Sequence, residues 1–318
     1  MSNSNDILTN ARKAKIDEFY TRLVDVESEL QYYAQHFKDK IVFCNCNDAK
    51  FGSFSTYFSF NFDKLGLKEL ICTSYGEKAK VYFYHGEKIG DQPLEIDNWE
   101  QYDLKENGDF RSNEMIELLK RADIVCTNPP FSLFREYVVQ LMEYNKKFLI
   151  IGNPNAITCK DIFPLVKENR MWLGASTFNN GMYFYVTDDF EYSDTYKFKR
   201  ELDNKRVNRV ASVCWYTNLD HSKRNTPLEL NKHFNDSEYP KYDNFNAINV
   251  DKVSDIPMDY NDIMGVPITF LNKYCPTQFE IVGITCQFGV PSEWDSKTNM
   301  SASVNGKNLY KRLLIKKI

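Results

Sequence analysis

The chain predicts an α/β protein built on a doubly wound sheet, and three observations carry that prediction. Helix-patterned and strand-patterned segments alternate over the first 150 residues or so. The strand candidates there are short and almost wholly apolar, as strands buried on both faces are. One of them, Ile124 to Thr127, breaks on Asn128-Pro129-Pro130-Phe131 before a new helical pattern begins.

The first helical pattern places Leu23, Val26, Leu30, Tyr33 and Phe37 on one face, behind Asp17 to Thr21. Ile41 to Cys44 then reads as a strand that ends abruptly in Asn45-Cys46-Asn47-Asp48. Tyr57, Phe58, Asn61, Phe62 and Leu65 return to helical spacing, with Gly66 as the C-cap. Leu67 to Thr73 is the second strand. Residues 80–84 and 99–104 read as short strands around a polar surface excursion from His85 to Asn98. Met115, Ile116 and Leu119 mark a helix before the central strand. Phe134, Val138, Leu141 and Met142 mark another after it, with Ser132 as a candidate cap, and Lys147 to Asn153 is a further buried strand.

Beyond Trp172 the pattern turns to β. Met182 to Val186 and Arg209 to Tyr216 would complete a seven-stranded mixed sheet flanked by helices. Past residue 220 the chain is turn-rich, with Ile268 to Phe270, Glu280 to Thr285 and Leu309 to Ile315 as short strands and Asn305-Gly306 as a hairpin turn. The expected organisation is a catalytic domain over 1–220 and a smaller β-rich region over 221–318.

Composition narrows the classes. A start of Met1 to Lys15 without an apolar stretch, and no run near the roughly 20 apolar residues of a membrane span, predict a cytoplasmic protein. The eight cysteines form no paired CxxC units. Cys44, Cys46, Cys72, Cys126, Cys214 and Cys286 lie in or beside apolar runs, as reduced buried thiols do. Cys44-x-Cys46 lacks the second pair that zinc would need, so no metal is expected. The four histidines, His36, His85, His221 and His233, form no triad.

Net charge is −4, yet its distribution is uneven. Lys197, Lys199, Arg200, Lys205, Arg206, Arg209, Lys223 and Arg224 face only Glu201, Asp203 and Asp220 in the same stretch, and Lys307, Lys311, Arg312, Lys316 and Lys317 crowd the tail. A solvated face explains any one cluster. Two in the C-terminal part of a chain with an acidic N-terminal half point to a phosphate-binding surface.

The Asn-Pro-Pro-Phe loop carries the chemistry. Residues before proline are driven out of the helical region and prolines lack an N–H, so the loop is stiff, rich in acceptors and poor in donors. An exocyclic amine on a purine is a poor nucleophile because its lone pair is delocalised. Acceptors at the Asn128 side chain and the Pro129 carbonyl would take both amine hydrogens and free that lone pair, while Phe131 offers a stacking face. The plain alternative is a turn that only ends a strand. A base inside a duplex would have to be flipped out, at a cost of about a few kcal/mol.

These segments, taken in order, resemble the EcoRI-type adenine-specific DNA methyltransferases of restriction–modification systems. The resemblance rests on Asp17 to Thr21, Cys44-Asn45-Cys46, Leu65 to Lys68, Gly108 to Ser112, Asn128 to Arg135, Lys147 to Asn153, Asn218 to His221 and Gly265 to Leu271. It implies a Rossmann-like class I methyltransferase fold, S-adenosylmethionine as cofactor, and N6 methylation of adenine in double-stranded DNA by direct in-line transfer. It also implies a bacterial or phage-encoded enzyme, with a cognate restriction endonuclease of the same system as a candidate partner that forms no stable complex with it. Residue by residue, Asn128, Pro129, Pro130 and Phe131 would hold the target adenine. Phe19, Tyr20, Thr21, Cys44, Asn45, Cys46, Asp109 and Phe110 would line the cofactor pocket. Arg206, Arg209, His221, Lys223 and Arg224 are the DNA-binding candidates.

The chain departs from the wider pattern in places. Cys44-Asn45-Cys46-Asn47-Asp48 stands where many methyltransferases have Phe-x-Gly-x-Gly, and Asn47 replaces an acid. The second strand ends in Thr73-Ser74-Tyr75 with no carboxylate for the ribose, which leaves Asp48 for that role. Two other readings compete: a catalytically impaired DNA-binding protein on the same fold, and an amino-methyltransferase acting on RNA or protein glutamine. A monomer is expected, because methylating one adenine at a time needs no symmetry-related subunit.

Overall fold

The structure is a computed structural model, and it describes residues 20–46, 49–50, 52–176, 181–285 and 301–318. The chain divides into two compact units, one of residues 1–154 and 179–219, the other of residues 155–178 and 220–318.

In the first unit a large mixed sheet contains, side by side, Cys214–Thr217, Lys147–Gly152, Ile124–Thr127, Ile41–Cys44, Glu69–Thr73, Lys80–Tyr84 and Glu100–Asp103. The strands from Lys147–Gly152 through Glu69–Thr73 run parallel, and the others pair antiparallel. Helices Ser53–Phe60, Asn113–Arg121 and Phe134–Glu143 pack on this sheet. The apolar stripe read from the sequence is buried as expected: Val26, Leu30, Tyr33 and Phe37 are inaccessible to solvent. It belongs to helix Leu23–Leu30 and the 3₁₀ turn Ala34–His36. Gly66 takes the left-handed conformation (φ 64°) that lets the chain reverse into the next strand.

Topology explains why function belongs at one edge of this sheet. From Ile41–Cys44 the chain moves outward through Glu69–Thr73, Lys80–Tyr84 and Glu100–Asp103, then returns to lay Ile124–Thr127 on the opposite side of the first strand. The order therefore reverses between Ile41–Cys44 and Ile124–Thr127. Ligands of open α/β sheets bind at the carboxyl ends of strands flanking such a reversal.

Three expectations about strands need correction. Met182–Tyr185 is not part of the large sheet; it pairs with Tyr20–Thr21 and with Lys205–Val210 in a separate small sheet. The run read as one strand from Arg209 to Tyr216 is two, Lys205–Val210 and Cys214–Thr217, and only the second joins the large sheet. The run is broken in sequence only by Ser212, which by itself gives no sign that its halves serve different sheets. Ile268 to Phe270 is 3₁₀ helix, and the strand lies just before it at Met264–Pro267.

The second unit contains a sheet ordered Ile248–Asn249, Met264–Pro267, Arg312–Lys317, Phe279–Ile284, with Asn305 and Gly306 both at positive φ in the expected hairpin turn. Residues 155–176, placed by sequence in the first domain, group with this unit. Helix Phe163–Lys167 lies against Phe279–Ile284, and the Arg224 guanidinium sits 3.9 Å from the centroid of the Trp172 ring. Among the described residues no helix is long and apolar enough to cross a membrane.

Candidate active site

The loop at the centre of the sequence argument leaves a fully buried strand. Ile124–Thr127 is covered on both faces, Asn128 is 7 % exposed, and Phe131 is half-buried. The expected strand, loop and helix are present, with one change at the junction. A 3₁₀ turn, Phe131–Leu133, intervenes, so helix Phe134–Glu143 begins one residue later than a Ser132 cap would require, and no side chain caps it.

That helix is anchored by its first residue. The Phe134 ring packs against Tyr216 at 5.1 Å between centroids and lies so close to Gly152 that a Cβ there would sit 2.3 Å from it. The glycine at the end of Lys147–Gly152 is thus a steric requirement of the loop on the neighbouring strand.

Across the reversal, Cys44-Asn45-Cys46 leaves the carboxyl end of its strand. Asn45 is buried, and the two loops are joined directly: the Thr127 hydroxyl donates to the Asn45 carbonyl oxygen. The Tyr137 hydroxyl donates to Asn45 Oδ1. Tyr137 is fully buried on the helix that follows the Asn-Pro-Pro-Phe loop, and its ring meets Phe110 edge-on at 5.0 Å. One turn on, Gln140 Nε2 donates to the Phe110 carbonyl oxygen at 2.9 Å. A single helix therefore holds both Asn45 and Phe110 in register with Asn128. The sequence reading missed Tyr137 and Gln140; their i, i+3 spacing on the helix after the loop is the signal that was available.

Cys46 takes a left-handed conformation (φ 60°), and burial pushes its thiol up to about 12. Burial also raises Cys44, Cys126 and Cys214. These are packing thiols, not nucleophiles. Asp109 lies in a segment stitched to the end of Glu69–Thr73, where Gly76 N–H donates to the Asn107 carbonyl oxygen at 3.0 Å. Both Asp109 carboxylate oxygens accept from Arg111, at 2.8 Å from Nε and 2.6 Å from Nη2, and this pairing holds its pKa below the ordinary range. Ser112, not Asp109, caps the following helix.

Tyr20–Thr21 reaches the same place through the small sheet. Thr21 pairs with Phe184, and the Phe184 ring meets Phe131 edge-on at 6.3 Å. Ser53 donates to the Thr21 carbonyl oxygen at 2.6 Å. Thr21 Oγ1 itself is buried with no hydrogen-bond partner among the described residues, as befits a side chain that meets a polar ligand atom. Phe19, Asn47 and Asp48 lie outside the described residues, as does Cys286.

The five DNA candidates fall in two places. His221 is buried with Nε2 3.0 Å from the Leu173 carbonyl oxygen, and Arg224 stacks on Trp172 and donates to Asn169. Lys223 donates to the Ala175 carbonyl oxygen at 2.7 Å. All three fasten a loop of the second unit. Arg206 and Arg209 lie on the small sheet, where Arg206 gathers the carbonyls of Thr187, Asp188 and Phe190. Among the described residues no group of His, Cys, Asp and Glu is placed to hold a metal.

The reversal point of the mixed sheet joins the Asn45 and Thr127 ends of two strands, beside the Phe131–Phe184 pair and the buried Thr21 hydroxyl, which is where α/β enzymes bind their ligands. The family model of the EcoRI adenine-specific methyltransferase matches residues 7–318. The chain belongs to that family and is an adenine-specific DNA methyltransferase. It is 46 % identical to the Type II methyltransferase M.EcoRI of Escherichia coli, over 98 % of this chain and 97 % of that one. It is 40 % identical to M.MgeORF184P of Mycoplasma genitalium, over 96 % and 97 %, and 38 % identical to M.MpnI of Mycoplasma pneumoniae, over 96 % of each. No solved structure matches the chain.

Proposed function

We propose that the protein methylates N6 of adenine within a specific duplex sequence, with S-adenosylmethionine as donor, on a Rossmann-like class I fold. The observation that supports this most is the direct junction of Asn45 and Thr127 across the reversal, which sets the Cys44-Asn45-Cys46 loop beside Asn128. The residues fit a polar cofactor: the buried Thr21 hydroxyl lacks a partner, and Asn45, Phe110 and Asp109 are held near by Tyr137, Gln140 and Arg111. When bound, the cofactor supplies an electrophilic sulfonium methyl.

Asn128 Oδ1 and the Pro129 carbonyl accept the two hydrogens of the adenine amine and localise its lone pair, and Phe131 stacks on the extruded base. Asn128 is uncharged, so the amine is polarised and not deprotonated. Alignment of amine and methyl within a closed site accounts for much of the barrier reduction, up to roughly 7–11 kcal/mol in favourable cases. The second unit, with the basic tail, is read as the target-recognition region, and the enzyme as a cytoplasmic monomer serving a restriction–modification system.

Incubation with methyl-labelled S-adenosylmethionine and duplex DNA, then hydrolysis to nucleosides, should place the label in N6-methyladenine. Label confined to RNA or to protein glutamine refutes the reading.

Replacing Tyr137 by Phe removes the hydroxyl that donates to Asn45 Oδ1. At about 0.5–1.5 kcal/mol for one such hydrogen bond, cofactor affinity should fall roughly 2- to 10-fold in calorimetry. An unchanged affinity would separate Asn45 from the cofactor.

A further inference from the structure

The small sheet carries more than Phe184. Beyond Tyr185 the chain runs out and returns as an arm, residues 187–209, closed by a two-residue turn at Asp203-Asn204, both at positive φ, between Glu201–Leu202 and Lys205–Val210. Four rings run in contact along it: Phe190 with Tyr192 at 5.3 Å, Tyr192 with Tyr196 at 4.9 Å, and Tyr196 with Phe198 at 5.7 Å. The Tyr192 hydroxyl donates to the carbonyls of Arg200 and Val207, and the Arg209 amide N–H donates to the Tyr196 hydroxyl, so the arm is a built element.

Its charges are divided. Asp188, Asp189, Glu191 and Asp194 come before the ring of Tyr196, where Arg206 folds their backbone down onto the strand. After it come Lys197, Lys199, Arg200, Lys205, Arg206 and Arg209 against Glu201 and Asp203, and Asp203 accepts from the Tyr185 hydroxyl. Arg200 and Arg206 lie over Tyr192, and Arg209 lies over Phe198. Lys197, Lys199 and Lys205 are exposed and enter no ion pair with a described residue, the Lys205 ammonium lying 4.9 Å from the centroid of the Tyr185 ring. Phe198 is 48 % exposed among them.

We infer that this arm is a DNA-contacting element of the methyltransferase: Lys197, Lys199 and Lys205 take backbone phosphates, and Phe198 lays its ring on a base unstacked beside the target. Charge complementarity selects the occupant, because a large exposed ring within a ring of cations suits a polyanion that also presents flat faces. Position supports it, since the same sheet brings Phe184 against Phe131. The inference rests on the DNA-methylating reading above and names the element that serves it.

Two variants test it by fluorescence anisotropy on a duplex carrying the methylation site, across a salt series. The triple change Lys197→Gln, Lys199→Gln, Lys205→Gln should lower the slope of log Kd against log[salt] by about 2.7, at roughly 0.9 for each lost phosphate contact. Phe198→Ala should keep the wild-type slope and weaken binding about 5- to 150-fold, which corresponds to about 1–3 kcal/mol of base stacking. Cofactor affinity should be unchanged in both, because none of these side chains is among the cofactor candidates. A wild-type slope in the triple variant, or wild-type affinity in Phe198→Ala, overturns the arm. Failure of the wild-type enzyme to bind or methylate any duplex overturns the parent reading instead.

Discussion

Asn128→Ala should lower the single-turnover methylation rate about 10²- to 10³-fold and leave duplex affinity within a few-fold of wild type. The expected factor is that of removing one preorganised partner from a site where charge develops in the transition state. Asn128 stands at the end of a strand buried on both faces, and the loop that follows is held by two prolines and by Phe134 packed against Gly152 and Tyr216. Truncating the side chain therefore removes an acceptor without releasing the backbone. Retained binding with lost turnover locates the effect in the chemical step. Full activity in this variant would show that the amine is activated by other groups.

Gly108→Ala should be the most damaging single change in the cofactor half of the site. Two costs combine there. Gly108 has φ +77°, which an L-residue adopts at a cost of about 1–2 kcal/mol. Its new Cβ would also sit 2.3 Å from the Ser74 carbonyl oxygen, a backbone atom that cannot swing aside. With an overpacking cost of roughly 1–3 kcal/mol added, stability should fall by about 2–5 kcal/mol in urea titration. The neighbouring Asp109 and Phe110 would be displaced, so the KM for the methyl donor should rise while duplex affinity holds. Gly90→Ala is the matched control, with φ +62° and nothing within 4 Å of its added Cβ. It should show the backbone cost alone, with normal activity. Equal losses in the two variants would mean that the contact with Ser74 is soft and that the loop does not position the cofactor residues.

Much of this protein could be read without coordinates, and the physical reason is local. Buried strands between helices leave apolar runs of the right length, so Ile41–Cys44, Lys80–Tyr84, Ile124–Thr127 and Lys147–Gly152 lay close to where the pattern put them. Prolines and left-handed glycines act on their own neighbours, so the Asn-Pro-Pro-Phe loop, the Gly66 cap and the Asn305-Gly306 turn were equally legible. The order of motifs along the chain was enough to point to the methyltransferase family.

Tertiary structure alone decided the matters that depend on distant partners. Which sheet receives a strand is settled by pairing, and so Met182–Tyr185 and Lys205–Val210 left the large sheet for the small one that Tyr20–Thr21 edges. A basic residue in sequence is a charge without a direction. Folding turned His221 and Arg224 inward onto Leu173 and Trp172, and left Lys197, Lys199 and Lys205 facing solvent. The reach of Tyr137 to Asn45, 92 positions away in sequence, was invisible for the same reason: periodicity tells which face of a helix is buried, and only packing tells what it is buried against.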